Sequence, residues 1–190
     1  MYRVSGLEVF GVEMDKRAAE LCKRNIDLNM FKAKICNINV ANTIRELKSV
    51  SFDHVFMNPP YFKQNSVKNS HILSSHQARV ESMPLSAWIS VAKNRCKPNG
   101  KITVIQRVER LPDIIKCLDG YFGQVTVQPI SSFKDTSPKT VIVQATKTSG
   151  AAFKLLAPKI VHRRDGISGK VVYEDEFKKI LRYGHPLQLN

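Results

Sequence analysis

Apolar residues recur along this chain in two alternating rhythms. Short apolar runs of strand length alternate with longer segments in which apolar positions return every third or fourth residue. Residues 7–13 (LEVFGVE) read as a strand. Ala18, Leu21, Cys22 and Ile26 then form a stripe at helical spacing, in a helix that Asp15 caps and that runs to about Asn29. A short strand is expected at 33–38 and another at Phe52–Met57 (FDHVFM), which ends in Asn58-Pro59-Pro60-Tyr61. Residues 62–82 are a long polar stretch without a clear period, and loops of that length are usually functional or disordered. Pro84 suits the first position of a helix whose buried face is Leu85, Trp88, Ile89, Ala92 and Cys96. Lys97-Pro98-Asn99-Gly100 has the turn chemistry to stop it. Next come a strand at 101–106, a helix at Leu111–Leu118, and two strands at 125–129 and 140–145, an antiparallel pair at the sheet edge. The tail offers an extended piece at 159–162, a turn at Asp165-Gly166 and a helix over 174–182. Strands alternating with helices, without repeat or linker, predict one α/β domain over residues 1–190 with a mostly parallel sheet.

Composition adds little until charge is considered. With 43% apolar and 24% charged residues, the chain is ordinary for a globular protein. No apolar run approaches bilayer length, so no membrane is expected. Met1 to Gly6 lack the apolar core of a signal peptide, and a cytoplasmic location follows. Cys22, Cys36, Cys96 and Cys117 are scattered, with neither a C-x-x-C pair nor a histidine at finger spacing. They read as reduced, mostly buried thiols, and no metal is expected. The net charge of +14 does change the picture, because such an excess attracts polyanions and steers association with them.

The chemistry lies in Asn58-Pro59-Pro60-Tyr61, directly after a strand. A planar amine is a poor nucleophile because its lone pair is delocalised. A catalyst must localise that pair and aim it. Two acceptors on the amine's hydrogens would do so: the Asn58 side-chain oxygen and the Pro59 backbone carbonyl. Pro59 and Pro60 fix φ and lack N–H groups, which stiffens the turn. Tyr61 can stack on a flat base, and Phe62 extends the aromatic wall. Isolated, Asn-Pro-Pro would be an ordinary rigid turn; the preceding strand and the following aromatic favour the catalytic reading.

Glu13 and Asn58-Pro59-Pro60-Tyr61, in this order, resemble motifs of class I, S-adenosylmethionine-dependent methyltransferases of Rossmann-like fold acting on amino groups. Asn58 to Phe62, His76-Gln77-Ala78-Arg79, Trp88 and Lys97-Pro98-Asn99-Gly100 are similar to the bacterial tRNA(Val) adenine methyltransferase family. So are Leu155-Leu156-Ala157-Pro158 and Ile180-Leu181-Arg182-Tyr183-Gly184 in the tail. The resemblance implies methyl transfer to the exocyclic amine of an adenine in tRNA. It assigns Asn58, Pro59, Pro60 and Tyr61 to catalysis. It assigns Glu13 to the cofactor ribose hydroxyls, Met14 to the cofactor adenine, and Asn39 to the adenine amine, where the family usually has aspartate. Asn58 also counts among the cofactor-binding residues. Tyr61, Phe62, Lys63, Lys68 and Arg79 would hold RNA, with Arg163 and Arg164 as further candidates. Trp88 reads as core, and His71 and His76 as loop residues, since the product ammonium loses its proton readily.

The family's first strand and Gly-rich cofactor loop would precede Leu7, and Gly6 and Gly11 make no G-x-G-x-G loop. The expectation is a fold without its first strand, which binds S-adenosylmethionine poorly and either aggregates or pairs the strands at 7–13 and 52–57 directly. Two other readings share these residues: a glutamine methyltransferase of release factors, against which the charge argues, and a non-catalytic RNA-binding remnant.

Overall fold

The computed structural model describes Val4, residues 6–60 and residues 83–189. It forms two compact units, Met1–Val50 and Ser51–Asn190.

In the first unit, β1 (Val9–Val12) and β2 (Ala33–Cys36) pair in parallel, from Val9 opposite Ala33 to Val12 opposite Cys36. The helix α1 (Lys16–Leu28) connects them. The Asp15 carboxylate accepts the Ala18 N–H at 2.7 Å and starts the helix, as its sequence position predicts. Ala19 and Ile26 are buried, with Cys22 half-buried between them. Of the expected stripe, Ala18, Cys22 and Ile26 pack, while Leu21 is exposed and Ala19 is buried in its stead. A 3-10 turn (Val40–Asn42) and α2 (Thr43–Glu46) follow, both too short to leave a periodic signal.

The second unit holds β3 (Phe52–Met57), α3 (Leu85–Arg95), β4 (Cys96–Arg107), α4 (Leu111–Leu118), β5 (Phe122–Ser131) and β6 (Thr140–Lys147). Short strands β7 (Lys154–Leu155), β8 (Lys159–Ile160), β9 (His162–Arg164) and β10 (Val171–Tyr173) lead to α5 (Asp175–Tyr183). One six-stranded sheet runs β3-β4-β6-β5-β7, with β8 also paired to β5. All its strands share one direction except β6, which is antiparallel to both β4 and β5. The expected antiparallel pair is therefore present, with β6 inserted between β4 and β5 and with β7 and β8 extending the sheet beyond β5.

Strand alternation sorts the side chains. Met57, Val104, Val143 and Val127 form one row across the sheet, flanked by Ile102, Ala145 and Val141. Leu85, Ile89 and Ala92 of α3 and Ile114 and Leu118 of α4 complete this core. The opposite face is mixed: Phe56, Ile105 and Ile142 share it with a polar group in which His54 Nε2 lies 2.8 Å from Thr103 Oγ1, which also accepts from Gln144 Nε2 at 3.2 Å.

Lys97 to Gly100, expected to be a turn, is instead a bulge inside β4. Cys96 opposes Phe52 and Lys101 opposes His54, leaving four residues on β4 against one on β3. Asn99 takes φ of 60° there, and a Cβ on Gly100 would approach Cys96 Sγ to 2.8 Å. Pro84 precedes α3 as its cap residue rather than as its first helical residue. The Lys147 ammonium ends the helix, donating to the carbonyls of Lys93 at 2.6 Å and Cys96 at 2.7 Å.

Candidate active site

β3 delivers Asn58, Pro59 and Pro60 at its C-terminal end. Met57, the last strand residue, is buried opposite Val104 and fixes where the turn begins. Pro59 is fully buried, Pro60 half-buried, and Asn58 exposed. The turn is held by Gln106, two residues further along β4 than Val104 and completely buried. Gln106 Nε2 donates to the Pro59 carbonyl at 3.1 Å and to the Pro60 carbonyl at 3.2 Å. Gln106 Oε1 accepts the Arg107 N–H at 2.9 Å, so both ends of the amide are used. A carbonyl oxygen has two lone pairs, and the bond from Gln106 uses one of the two on the buried Pro59 carbonyl. The chain thus offers a fixed backbone acceptor next to an exposed side-chain amide. Tyr61, Phe62, Lys63, Lys68, His71, His76 and Arg79 lie outside the described residues.

The first unit gathers its own polar cluster at the C-terminal ends of β1 and β2. Glu13 continues β1, its N–H donating to the Cys36 carbonyl at 3.1 Å. Its carboxylate accepts the Asp15 N–H at 2.8 Å, which ties it to the turn into α1. Asn37 Nδ2 donates to the carbonyls of Glu13 at 2.9 Å and Met14 at 3.0 Å. The Met14 side chain is 61% exposed, and the Asn39 amide nitrogen contacts its sulfur at 3.2 Å. Asn39 Oδ1, the atom expected to accept from an adenine amine, accepts the Ala41 N–H at 2.9 Å and starts the 3-10 turn. It can receive a second donor only through its remaining lone pair.

Sequence reasoning missed Asn37 and Gln106. Asn37 had a weak signal, a second asparagine directly after β2. Gln106 had a clearer one. It occupies the inward register of Ile102 and Val104, and a polar side chain in that row requires a buried partner. A cavity of about 760 Å³, lined by Phe122, Lys147 and Tyr121 among others, opens at the other end of the sheet, away from the Asn58 turn.

A protein-family profile described as the methyltransferase small domain matches residues 2–133. The chain belongs to this family. Among individual methyltransferases, it is similar to the tRNA1(Val) (adenine(37)-N6)-methyltransferase of Shewanella baltica, 26% identical over 117 residues, covering 56% of this chain and 47% of that protein. The enzyme of the same description from Porphyromonas gingivalis is 28% identical over 112 residues, with 56% and 43% covered. The matches thus span less than half the length of these relatives. Among solved structures, a predicted O-methyltransferase, Atu636 of Agrobacterium tumefaciens, superposes with TM-score 0.72 at 21% identity, covering 94% of this chain and 79% of that one. The Thermus thermophilus 16S rRNA N2 G1207 methyltransferase, solved with AdoMet and guanosine, gives 0.50 at 23% identity, with 75% and 32% covered. These likenesses establish a Rossmann-like methyltransferase fold. No helix among the described residues is long and apolar enough to cross a membrane.

Proposed function

We propose that this protein is a cytoplasmic N-methyltransferase that uses S-adenosylmethionine to methylate the exocyclic amine of an adenine in tRNA. The observation that carries the reading is the strand-end turn in which Gln106 fixes the Pro59 carbonyl beside the exposed Asn58. The family membership, the two tRNA-modifying relatives and the +14 charge support it. The profile match crosses both compact units, which supports treating them as parts of one methyltransferase domain.

The residues of the first unit fit the cofactor by their chemistry. Glu13 offers a carboxylate at a strand end, suited to vicinal ribose hydroxyls. Met14 presents an exposed thioether suited to an adenine face. Asn39 is the third cofactor residue, through its remaining acceptor site. The bound cofactor supplies an electrophilic methyl group. On the substrate side, Asn58 Oδ1 and the Pro59 carbonyl accept the two amine hydrogens and localise the nitrogen lone pair. Positive charge developing on nitrogen faces the Pro59 carbonyl, which Gln106 holds in place, and the Asn58 oxygen beside it. The proton released from the methylated amine passes to solvent. Tyr61 and Phe62 stack on the base, and Lys63, Lys68 and Arg79 engage phosphates.

The test is incubation with radiolabelled S-adenosylmethionine and, in parallel, unmodified tRNA or a release factor, followed by nucleoside and amino-acid analysis. N6-methyladenosine is the expected product. Label transferred to a release-factor glutamine, or none to RNA, overturns the assignment.

A further inference from the structure

Beyond β8 the chain builds a small aromatic and basic cluster that the methyl-transfer chemistry does not use. In the β9–β10 hairpin His162 opposes Tyr173 and Arg164 opposes Val171, so these four side chains share one face. The rings of His162 and Tyr173 stack with centroids 5.0 Å apart and planes 26° apart. Phe133, just after β5, lies 5.8 Å from His162, and the Arg164 guanidinium sits 6.0 Å from the Phe133 centroid. Tyr173 ends the stack and is 38% exposed; Val171 beside it is 52% exposed.

The cations around this hairpin divide into two sets. Arg163, on the opposite hairpin face, lies against Glu174 at 3.7 Å and Asp175 at 3.8 Å, and Lys159 pairs with Glu176. Asp165 turns into its own loop, accepting from Ile167 N–H, Ser168 N–H and Ser168 Oγ. Arg164 lies over an aromatic ring instead. Lys134 follows Phe133, Lys170 precedes β10, and both are exposed. One face of the hairpin is therefore neutralised, and the other joins the exposed Tyr173 ring and two half-buried rings to cations. Rings that stack bases and cations that meet phosphates are the two elements of single-strand recognition.

Register fixes where this face lies. Gln106, which holds the Asn58 turn, opposes Val141, and Arg107 opposes Thr140. Thr140 opposes Ile130, which opposes Lys159 of β8, and His162 begins β9 two residues after Ile160. The hairpin is a separate two-stranded sheet, but Val161 and His162 donate to the carbonyls of Ser131 and Ser132, so the cluster abuts the same end of the six-stranded sheet as the turn. From β3 to β8 is four strand spacings, about 19 Å at ~4.8 Å each. That distance spans about five to six stacked nucleotides at ~3.4 Å per base.

We infer that Tyr173, with His162 and Phe133 behind it and Arg164 beside it, is a base-stacking platform for a single-stranded RNA segment several nucleotides from the base at the Asn58 turn. This rests on RNA being the substrate, so the test reads binding and not methyl transfer. A fluorescein-labelled RNA hairpin with an adenine-rich loop is titrated by anisotropy, with a fully duplexed RNA of equal length as comparison. Tyr173→Ala and Arg164→Glu are each expected to weaken hairpin binding about tenfold, the scale of one lost stacked base. Duplex binding should change less. Tyr173→Phe should retain affinity, and Lys116→Ala, which removes an exposed charge on α4, should bind as the parent does. A 2-aminopurine in the hairpin loop should be quenched by the parent and by Tyr173→Phe, and not by Tyr173→Ala. Arg164→Glu changes an exposed side chain and leaves every ring of the stack in place. Parent-like affinity and quenching in Tyr173→Ala and Arg164→Glu would overturn the platform and leave the methyltransferase reading standing. Failure of the parent to bind RNA at all would overturn both.

Discussion

Asn58 and Gln106 serve the same turn in different ways, and substitution should separate them. Asn58 is exposed and leaves little behind when truncated. If its oxygen localises the amine lone pair, Asn58→Ala should lower single-turnover methyl transfer by at least about a hundredfold, the usual cost of losing one preorganised polar contact. Cofactor affinity and the urea midpoint should stay at parent values; near-normal transfer would remove Asn58 from its role. Gln106 is completely buried and serves three backbone groups. Gln106→Leu keeps the volume and strands those groups, and one buried unsatisfied group costs about 1–3 kcal/mol. A clear fall in the urea midpoint is the expected result, and an unchanged midpoint would show that the turn holds itself. The difference in legibility between the two residues has a physical origin. Asn58, Pro59 and Pro60 are contiguous, so the motif is visible in one dimension. Gln106 acts across 47 residues, a pairing that only the parallel register of β3 and β4 creates.

Elements with their own local signals were legible at close to their true bounds: β3 as an isolated apolar run, α1 between Asp15 and Asn29, and α4 from its amphipathic period. The bulge over residues 97–100 was not, because turn chemistry looks the same whether the chain leaves a strand or only kinks within it. Nor were β7 and β10, of two and three residues, which exist only because β5 and β9 supply their partners. The polar group around His54 carries a consequence that strand periodicity alone could not give. His54 is half-buried between Thr103 and the stacked Phe56 ring, 4.0 Å away, with Lys101 opposite on β4. Burial, with a smaller contribution from Lys101, holds the imidazole pKa below its ordinary value. In the unfolded chain the ring takes up its proton near ~6.5. As pH falls through that value the unfolded state binds the proton first, and stability declines until the folded-state ring titrates as well. The urea midpoint should therefore drop on acidification from neutral pH, and His54→Gln should lessen the drop. Equal pH dependence in parent and variant would place the acid sensitivity elsewhere.

Charge is a property of the whole molecule, and it is unevenly divided. Nine basic and six acidic residues leave Met1–Val50 at +3, while Ser51–Asn190 carries the remaining +11 of the +14. A lysine-rich composition by itself would spread the excess in proportion to length, roughly a quarter to the first unit, and that is close to what is found. The excess is spread over both units, and the local arrangement decides where RNA is held. In α5 and its approach, Glu174, Asp175 and Glu176 neutralise Arg163 and Lys159, whereas Arg164 lies over the half-buried Phe133 ring and Lys134 and Lys170 are exposed next in sequence to Phe133 and to β10. Counterion release makes this measurable. Each phosphate neutralised on a single strand contributes about −0.7 to the slope of log affinity against log salt. A surface engaging about five phosphates gives a slope of roughly −3.5. Titrating tRNA with the parent at several salt concentrations should show a slope of that order. Replacing Lys134, Arg164 and Lys170 together by glutamate should reduce its magnitude by about 2, as three contacts are lost. The same triple reversal at Lys16, Lys23 and Lys34 of the first unit should reduce it by much less. Equal reductions would mean that RNA responds to total charge, and that the hairpin face has no privileged part in holding it.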